Sequence, residues 1–182
     1  MKDNNKGFSL VELIITIAIM AVIASMLFIG LGILPRNAAK SCAEGLKTVV
    51  GQTRIMTMGK NETILEIFQD ADGVYYTRQH VDGAVDTNAE ECGKSYVTIY
   101  YHEENPSVNA DTVTIADCVE LTDTNPLYLG FNRGNGMMTA VEGTVFGTNV
   151  TSTVCDLIIV EGGGLQRRIR IYPATGKVTL DS

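Results

Sequence analysis

The chain has 182 residues and a formal net charge of −7 at pH 7, enough for one domain of ordinary size plus an appendage. This acidity argues against a general nucleic-acid binder, because neutralising phosphates needs clustered Lys and Arg. Charged residues make up 19%, below the usual ~25%, and the deficit is local: Leu13 to Leu34 carry no charge.

The first seven residues, Met1–Gly7, hold Lys2, Lys6 and Asp3, a net of +1, so the rest of the chain carries −8. Leu13–Leu34 follows, 22 residues whose only hydroxyls are Thr16 and Ser25. At ~1.5 Å per residue such a helix is about 33 Å long and matches a hydrocarbon core of ~30 Å. A buried core helix of that length would have to be apolar all round, which is unusual in so small a domain. A secretory signal has a shorter apolar stretch, about 7–15 residues, and a small-residue cleavage site; Leu31–Pro35 offers none. Lys2 and Lys6 before the span place the N-terminus in the cytoplasm, against the weaker pull of Arg36 and Lys40 after it.

Within this frame Glu12 is anomalous. A carboxylate in a membrane segment costs about 2.5–3.5 kcal/mol at the bilayer centre, and less near its edge, so such residues usually have a partner. Phe8 lies four residues earlier, on the same helix face. The run Lys6-Gly7-Phe8-Ser9-Leu10-Val11-Glu12-Leu13-Ile14 resembles the processing signal of type IV pilins and type II secretion pseudopilins. It has a short basic leader, Gly before the cut, Phe after it, and a carboxylate four residues later in an apolar run. The resemblance implies cleavage between Gly7 and Phe8 by a membrane prepilin peptidase, which then methylates the new amine of Phe8. Glu12 can pair with that amine in its own chain or in a neighbour, and the resemblance implies that the neighbour's amine sets the register of the growing filament. The plainer reading of Glu12 is a first-turn carboxylate favoured by the helix dipole.

Pro35 either kinks the helix, as an interior proline does, or marks the membrane exit. Arg36–Met58 then regains helical period through Ala39, Ala43, Leu46, Val50 and Thr53, with Gly59-Lys60-Asn61 as a stop. From Thr63 the pattern becomes short strands: Thr63–Phe68, Val74–Gln79, Ser95–Tyr101, Thr112–Ile115, Leu127–Phe131, Met137–Val141, Val154–Val160, Arg167–Tyr172 and Lys177–Leu180. Val81–Lys94 and His102–Asp111 read as loops, and Gly162–Gly164 as a flexible connection. The expected class is α+β and type IV pilin-like: a long N-terminal helix, membrane-spanning in its first half, packed on an antiparallel β-sheet head. The expected organisation is a leader at 1–7, a transmembrane and polymerisation helix at 8–34, an amphipathic half-helix at 35–60 and an extracytoplasmic head at 61–182.

Four cysteines, Cys42, Cys92, Cys118 and Cys155, form no CxxC pair, which gives zinc and redox motifs little support. Disulfides suit an extracytoplasmic head, and three pairings exist. The favoured one joins Cys92 to Cys118 across a loop-rich region and Cys42 to Cys155. His80 and His102 stand isolated and are expected on surface loops rather than on a metal. Asp70-Ala71-Asp72-Gly73 resembles the start of a calcium loop but lacks the rest of the ligand series. A turn is the simpler reading, with Asp70, Asp72, Asp82 and Asp86 as the residual calcium candidates. Gly162–Gly164 is followed by Leu165-Gln166 and so cannot be a P-loop.

The run from Gln166 to Leu180 resembles the last two strands of H-type minor pseudopilins, a group in which some minor pilins bind DNA through a basic C-terminal motif. Arg167, Arg168, Arg170 and Lys177 offer a small basic stripe, but no second basic residue follows two after Lys177, and a solvated strand face is the simpler reading. No catalytic constellation, metal site or cofactor is expected. The resemblance implies a structural subunit of a type IV pilus, competence pilus or type II secretion pseudopilus. Its partners would be prepilin peptidase, other pilin or pseudopilin subunits, the inner-membrane assembly machinery and membrane lipid. The competing class is a signal-anchored extracellular binding domain that never polymerises.

Overall fold

The computed structural model describes residues 9–59, 62–81, 84–85, 88–105, 107–145 and 148–181. In chain order they form α1 (Leu10–Gly59), β1 (Thr63–Gln69), β2 (Tyr75–Val81), β3 (Ala84–Val85), β4 (Glu90–Gly93), β5 (Thr98–Glu103), a 3-10 turn (Ile115–Asp117), β6 (Val119–Glu120) and β7 (Leu127–Phe131). They continue with β8 (Met138–Thr139), β9 (Glu142–Val145), β10 (Thr148–Thr151), β11 (Cys155–Gly162), β12 (Leu165–Tyr172) and β13 (Lys177–Asp181). The chain divides into two compact units, residues 1–34 and 35–182. Pro35 does not end the helix but lies inside it.

The class is α+β with antiparallel sheets. The expected single head sheet is instead split. One sheet runs β3-β2-β1-β7-β8, with β4 also pairing β2; a second runs β13-β12-β11-β5-β6; β9 and β10 form a separate hairpin. Both larger sheets contribute to one core against α1. Ala39, Cys42, Ala43, Leu46 and Val50, spaced by three or four, pack with Leu65, Ile67, Leu129, Ile99, Ile158, Val160, Ile169 and Ile171. A helix face of this spacing buries one stripe and leaves the opposite side free.

β11 is buried on both faces, because Leu157 and Ile159 pack beneath a second cluster with Val113. Its unbroken apolar run is what a strand covered on both sides requires. That cover comes from the segment in which Thr112–Ile115 was expected to be a strand. Asp117 prevents this: its Oδ2 accepts from Thr114 N at 2.9 Å and from Thr114 Oγ1 at 2.7 Å, closing a tight turn. Conversely, the expected loop 81–94 contains β3 and β4, and Met137–Val141 shortens to Met138–Thr139.

The glycine run is a docking point rather than a slack connection. Gly162 lies so close to α1 that an added Cβ would sit 2.6 Å from Pro35 O and 3.1 Å from Ala39 Cβ. Arg36 Nε donates to Gly163 O at 2.9 Å. At the other end of the head's helix, Arg54 Nε donates to Gly136 O at 3.2 Å.

Candidate assembly site

Ser9 caps α1. Its carbonyl accepts from Leu13 N at 3.2 Å, and its N–H donates to Glu12 Oε2 at 3.1 Å. Glu12 is therefore the third helical residue reaching back to the cap, one half of a capping box. A carboxylate here also faces the positive end of the helix dipole. Gly7 and Phe8 lie outside the described residues.

From Leu10 to Ser25 every described side chain of the helix is exposed. Ten large apolar side chains between Leu10 and Ile23 are each more than half exposed, from Ile15 at 52% to Leu10 at 75%. Its two hydroxyls do not interrupt this surface. Thr16 Oγ1 donates to Leu13 O at 2.9 Å and Ser25 Oγ to Val22 O at 2.7 Å, so both are satisfied within the helix. Covering such side chains is worth about 1.5–3 kcal/mol each. Among the described residues no helix is long and apolar enough to cross a membrane; the side chains described in this stretch run to Ser25 and resume at Gly32.

Other expected sites change character in the fold. His80 and His102 are buried, not on surface loops, at 3% and 7% exposure. His80 Nε2 lies 3.4 Å from Glu66 Oε2. Burial and the Arg78 guanidinium lower His80 to about 4. Glu66 also accepts from Arg78 Nε and Nη2 at 2.9 and 2.7 Å and from Tyr128 Oη at 3.2 Å. A buried carboxylate so surrounded is a structural ion-pair network. His102 Nδ1 lies 2.7 Å from Asp156 Oδ1 in the same manner. Neither network was visible in the sequence, because the partners are 14 and 54 residues apart.

The carboxylate Asp70 Oδ1 accepts from Asp72 N at 3.0 Å and Val74 N at 2.8 Å, closing the β1–β2 turn, with Gly73 at φ +79°. Such an Asx turn needs no ion. Asp82 and Asp86 lie outside the described residues. Among the described residues no group of three or more His, Cys, Asp or Glu is placed to hold a metal.

The basic stripe is divided. Strand alternation puts Arg167 on the face of Ile169 and Ile171, and Arg168 and Arg170 on the other. Arg168 Nη2 donates to Val113 O at 2.8 Å, Arg170 pairs with Asp111, and Lys177 sits 5.9 Å from the Tyr172 ring. Arg168, Arg170 and Lys177 are thus engaged within the fold, which weakens the case for a DNA-binding stripe.

All four cysteines are free thiols. The neighbour of Cys42 is Cys92: Cys92 packs on the cluster that holds Cys42, and its thiol is raised by its interaction with Cys42, so the expected partners Cys155 for Cys42 and Cys118 for Cys92 are not the ones the fold brings together. Cys118 Sγ instead donates to Thr114 O at 3.3 Å and Cys155 Sγ to Leu157 O at 3.4 Å.

Residues 2–28 match the family described as the prokaryotic N-terminal methylation motif. No curated protein and no solved structure matches the chain.

Proposed function

From its character as a type IV prepilin-like protein, we propose that the chain is a structural subunit of a pilus or secretion pseudopilus, not an enzyme and not a solitary anchored domain. The observation that carries this reading is the coincidence of the methylation motif over residues 2–28 with an uncovered apolar helix that starts at Leu10.

In this reading 1–7 is the leader, 8–34 the membrane and polymerisation helix, 35–60 the half-helix and 61–182 the extracytoplasmic head. Prepilin peptidase cuts between Gly7 and Phe8. Glycine lets the backbone enter a protease cleft without a side-chain clash. The precursor rests in the membrane with its N-terminus in the cytoplasm. Lipid covers Leu13–Leu34 at that stage, and the helices of other subunits cover it once the inner-membrane machinery has moved the subunit into the filament. Cleavage creates a cationic amine at Phe8. A neighbour's Glu12 carboxylate neutralises it where water is scarce, which sets the axial register of the incoming subunit.

Coexpression with an active prepilin peptidase tests this. Intact mass and N-terminal peptide analysis should find a chain that begins at N-methyl-Phe8. Full-length chain in the presence of active peptidase, or a cut near Pro35, would overturn the reading and favour a signal-anchored domain.

A further inference from the structure

Cys42 and Cys92 lie on different elements and meet through a local irregularity. In the β2–β4 pair, Tyr75 stands opposite Gly93 and Tyr76 opposite Glu91, so Cys92 is an extra residue with no cross-strand partner. A bulge of this kind re-aims a side chain. Here the half-buried Cys92 packs against the core cluster that holds Cys42. Its neighbour Gly93 comes so near α1 that an added Cβ would lie 3.1 Å from Cys42 Sγ. Glycine at 93 leaves room for the sulfur. Cys118 and Cys155 feel each other electrostatically but belong to different clusters, Cys155 to the one facing α1 and Cys118 to the one on the other side of β11, and each thiol donates to a backbone carbonyl instead.

We propose that Cys42 and Cys92 form a disulfide that staples α1 to β4, and that Cys118 and Cys155 remain thiols. The oxidant is a disulfide, either oxidised glutathione or the active-site disulfide of a thiol oxidoreductase. The new S–S bond forms as each cysteine gives up its proton. The two electrons reduce the oxidant's S–S bond, whose sulfurs leave as two thiols carrying the protons. In the cell this rests on the extracytoplasmic placement of the head, where such oxidants persist. Interaction with the Cys42 thiol and burial both raise the pKa of Cys92, so the reactive thiolate forms most readily before α1 and β4 have fully closed. The bond spans about 50 residues, and a loop of that size raises the resistance to unfolding by up to roughly a thousandfold on the chain-entropy account.

The test uses the purified full-length chain in detergent micelles, incubated with oxidised glutathione, denatured in N-ethylmaleimide and mapped without reductant. The expected result is a linked Cys42–Cys92 peptide, with maleimide on Cys118 and Cys155. A different linkage, or four alkylated thiols after exhaustive incubation, overturns the proposal. Cys92→Ser, on the half-buried bulge, supplies a second readout. It should lower the oxidised Tm and leave the Tm in reductant nearly unchanged, and adding Cys42→Ser should bring no further oxidant-dependent loss. Equal losses in oxidant and reductant would count against the staple. Because the oxidant is supplied in vitro, the outcome is independent of the processing reading, which the N-terminal mass of peptidase-treated chain decides separately.

Discussion

The contact between Gly162 and the start of the head's helix gives a sharp test of the packing. Replacing Gly162 by Ala adds one methyl group, which would sit 2.6 Å from Pro35 O, 3.1 Å from Ala39 Cβ and 3.3 Å from Pro35 C. Carbon–oxygen contacts settle near ~3.3–3.6 Å, so the overlap is about 0.7 Å or more. Two of the three atoms are backbone, so no flexible side chain can swing away. Either α1 or the β11–β12 turn must move, and an overpacked core of this kind costs about 1–3 kcal/mol. For a chain of this size that corresponds to a Tm lower by roughly 2–12 °C.

Two other glycines separate this cause from generic glycine effects. Gly164 meets nothing within 4 Å but has φ +75°, so Gly164→Ala should lose about 1–2 kcal/mol from left-handed strain alone. Gly45 lies exposed in α1 with open space around it, and Gly45→Ala should gain up to about 1 kcal/mol from helix propensity. The assay is thermal unfolding of the full chain in micelles, followed by circular dichroism. A Gly162→Ala protein as stable as the parent, beside a destabilised Gly164→Ala protein, would show that α1 does not seat on this turn.

Glu12→Ala should leave a processed, membrane-resident protein that fails to enter filaments, because Gly7 and Phe8 are unchanged while an incoming amine is left uncompensated in an apolar setting; quantifying this subunit in sheared filaments against the membrane fraction checks it, and normal incorporation would remove the ion-pair mechanism. The second concerns pH. His80 sits at about 4 in the fold against an ordinary 6.5, so the unfolded chain takes up a proton that the folded one refuses, and stability present above pH 6.5 is lost as the pH falls towards 4. In His80→Gln, urea midpoints should decline less over that window than in the parent, while Glu66, Arg78 and Tyr128 remain; parallel declines would refute the assignment.

Legibility followed the range of the interactions. The start of α1 was readable because its cause is local: Ser9 and Glu12 are three residues apart, and the apolar run is continuous. The β1–β2 turn was readable for the same reason, since Asp70 closes it on residues two and four positions away. β11 announced itself by an apolar run long enough to be covered on both faces. β4 did not, because Glu90 and Glu91 are exposed on a short strand and resemble a solvated loop. The pairing of Cys42 with Cys92 depends on the bulge in that same strand, so losing the strand meant losing the pair. The histidines looked solitary because Glu66 and Asp156 reach them only through sheet pairing. The glycine run looked slack because nothing in its own composition says that Pro35 and Ala39 press against it.

The same distinction bears on Glu12, the residue on which the functional reading turns. Its bond to Ser9 N–H is a cap, and a cap alone would explain a carboxylate in the first turn. The two roles are compatible, since an ionised carboxylate offers about four acceptor positions and the cap occupies one, on Oε2. In the proposed assembly the cap would pre-position the side chain at the helix terminus, so less conformational entropy would be lost on pairing with a neighbour's amine. A first-turn carboxylate facing water needs no partner beyond its own backbone. This one borders a surface of exposed Leu, Ile, Val and Met side chains. In the proposed assembly, where lipid or other helices would cover that surface, the charge would lie beside an apolar medium and gain from a cation arriving with the next subunit.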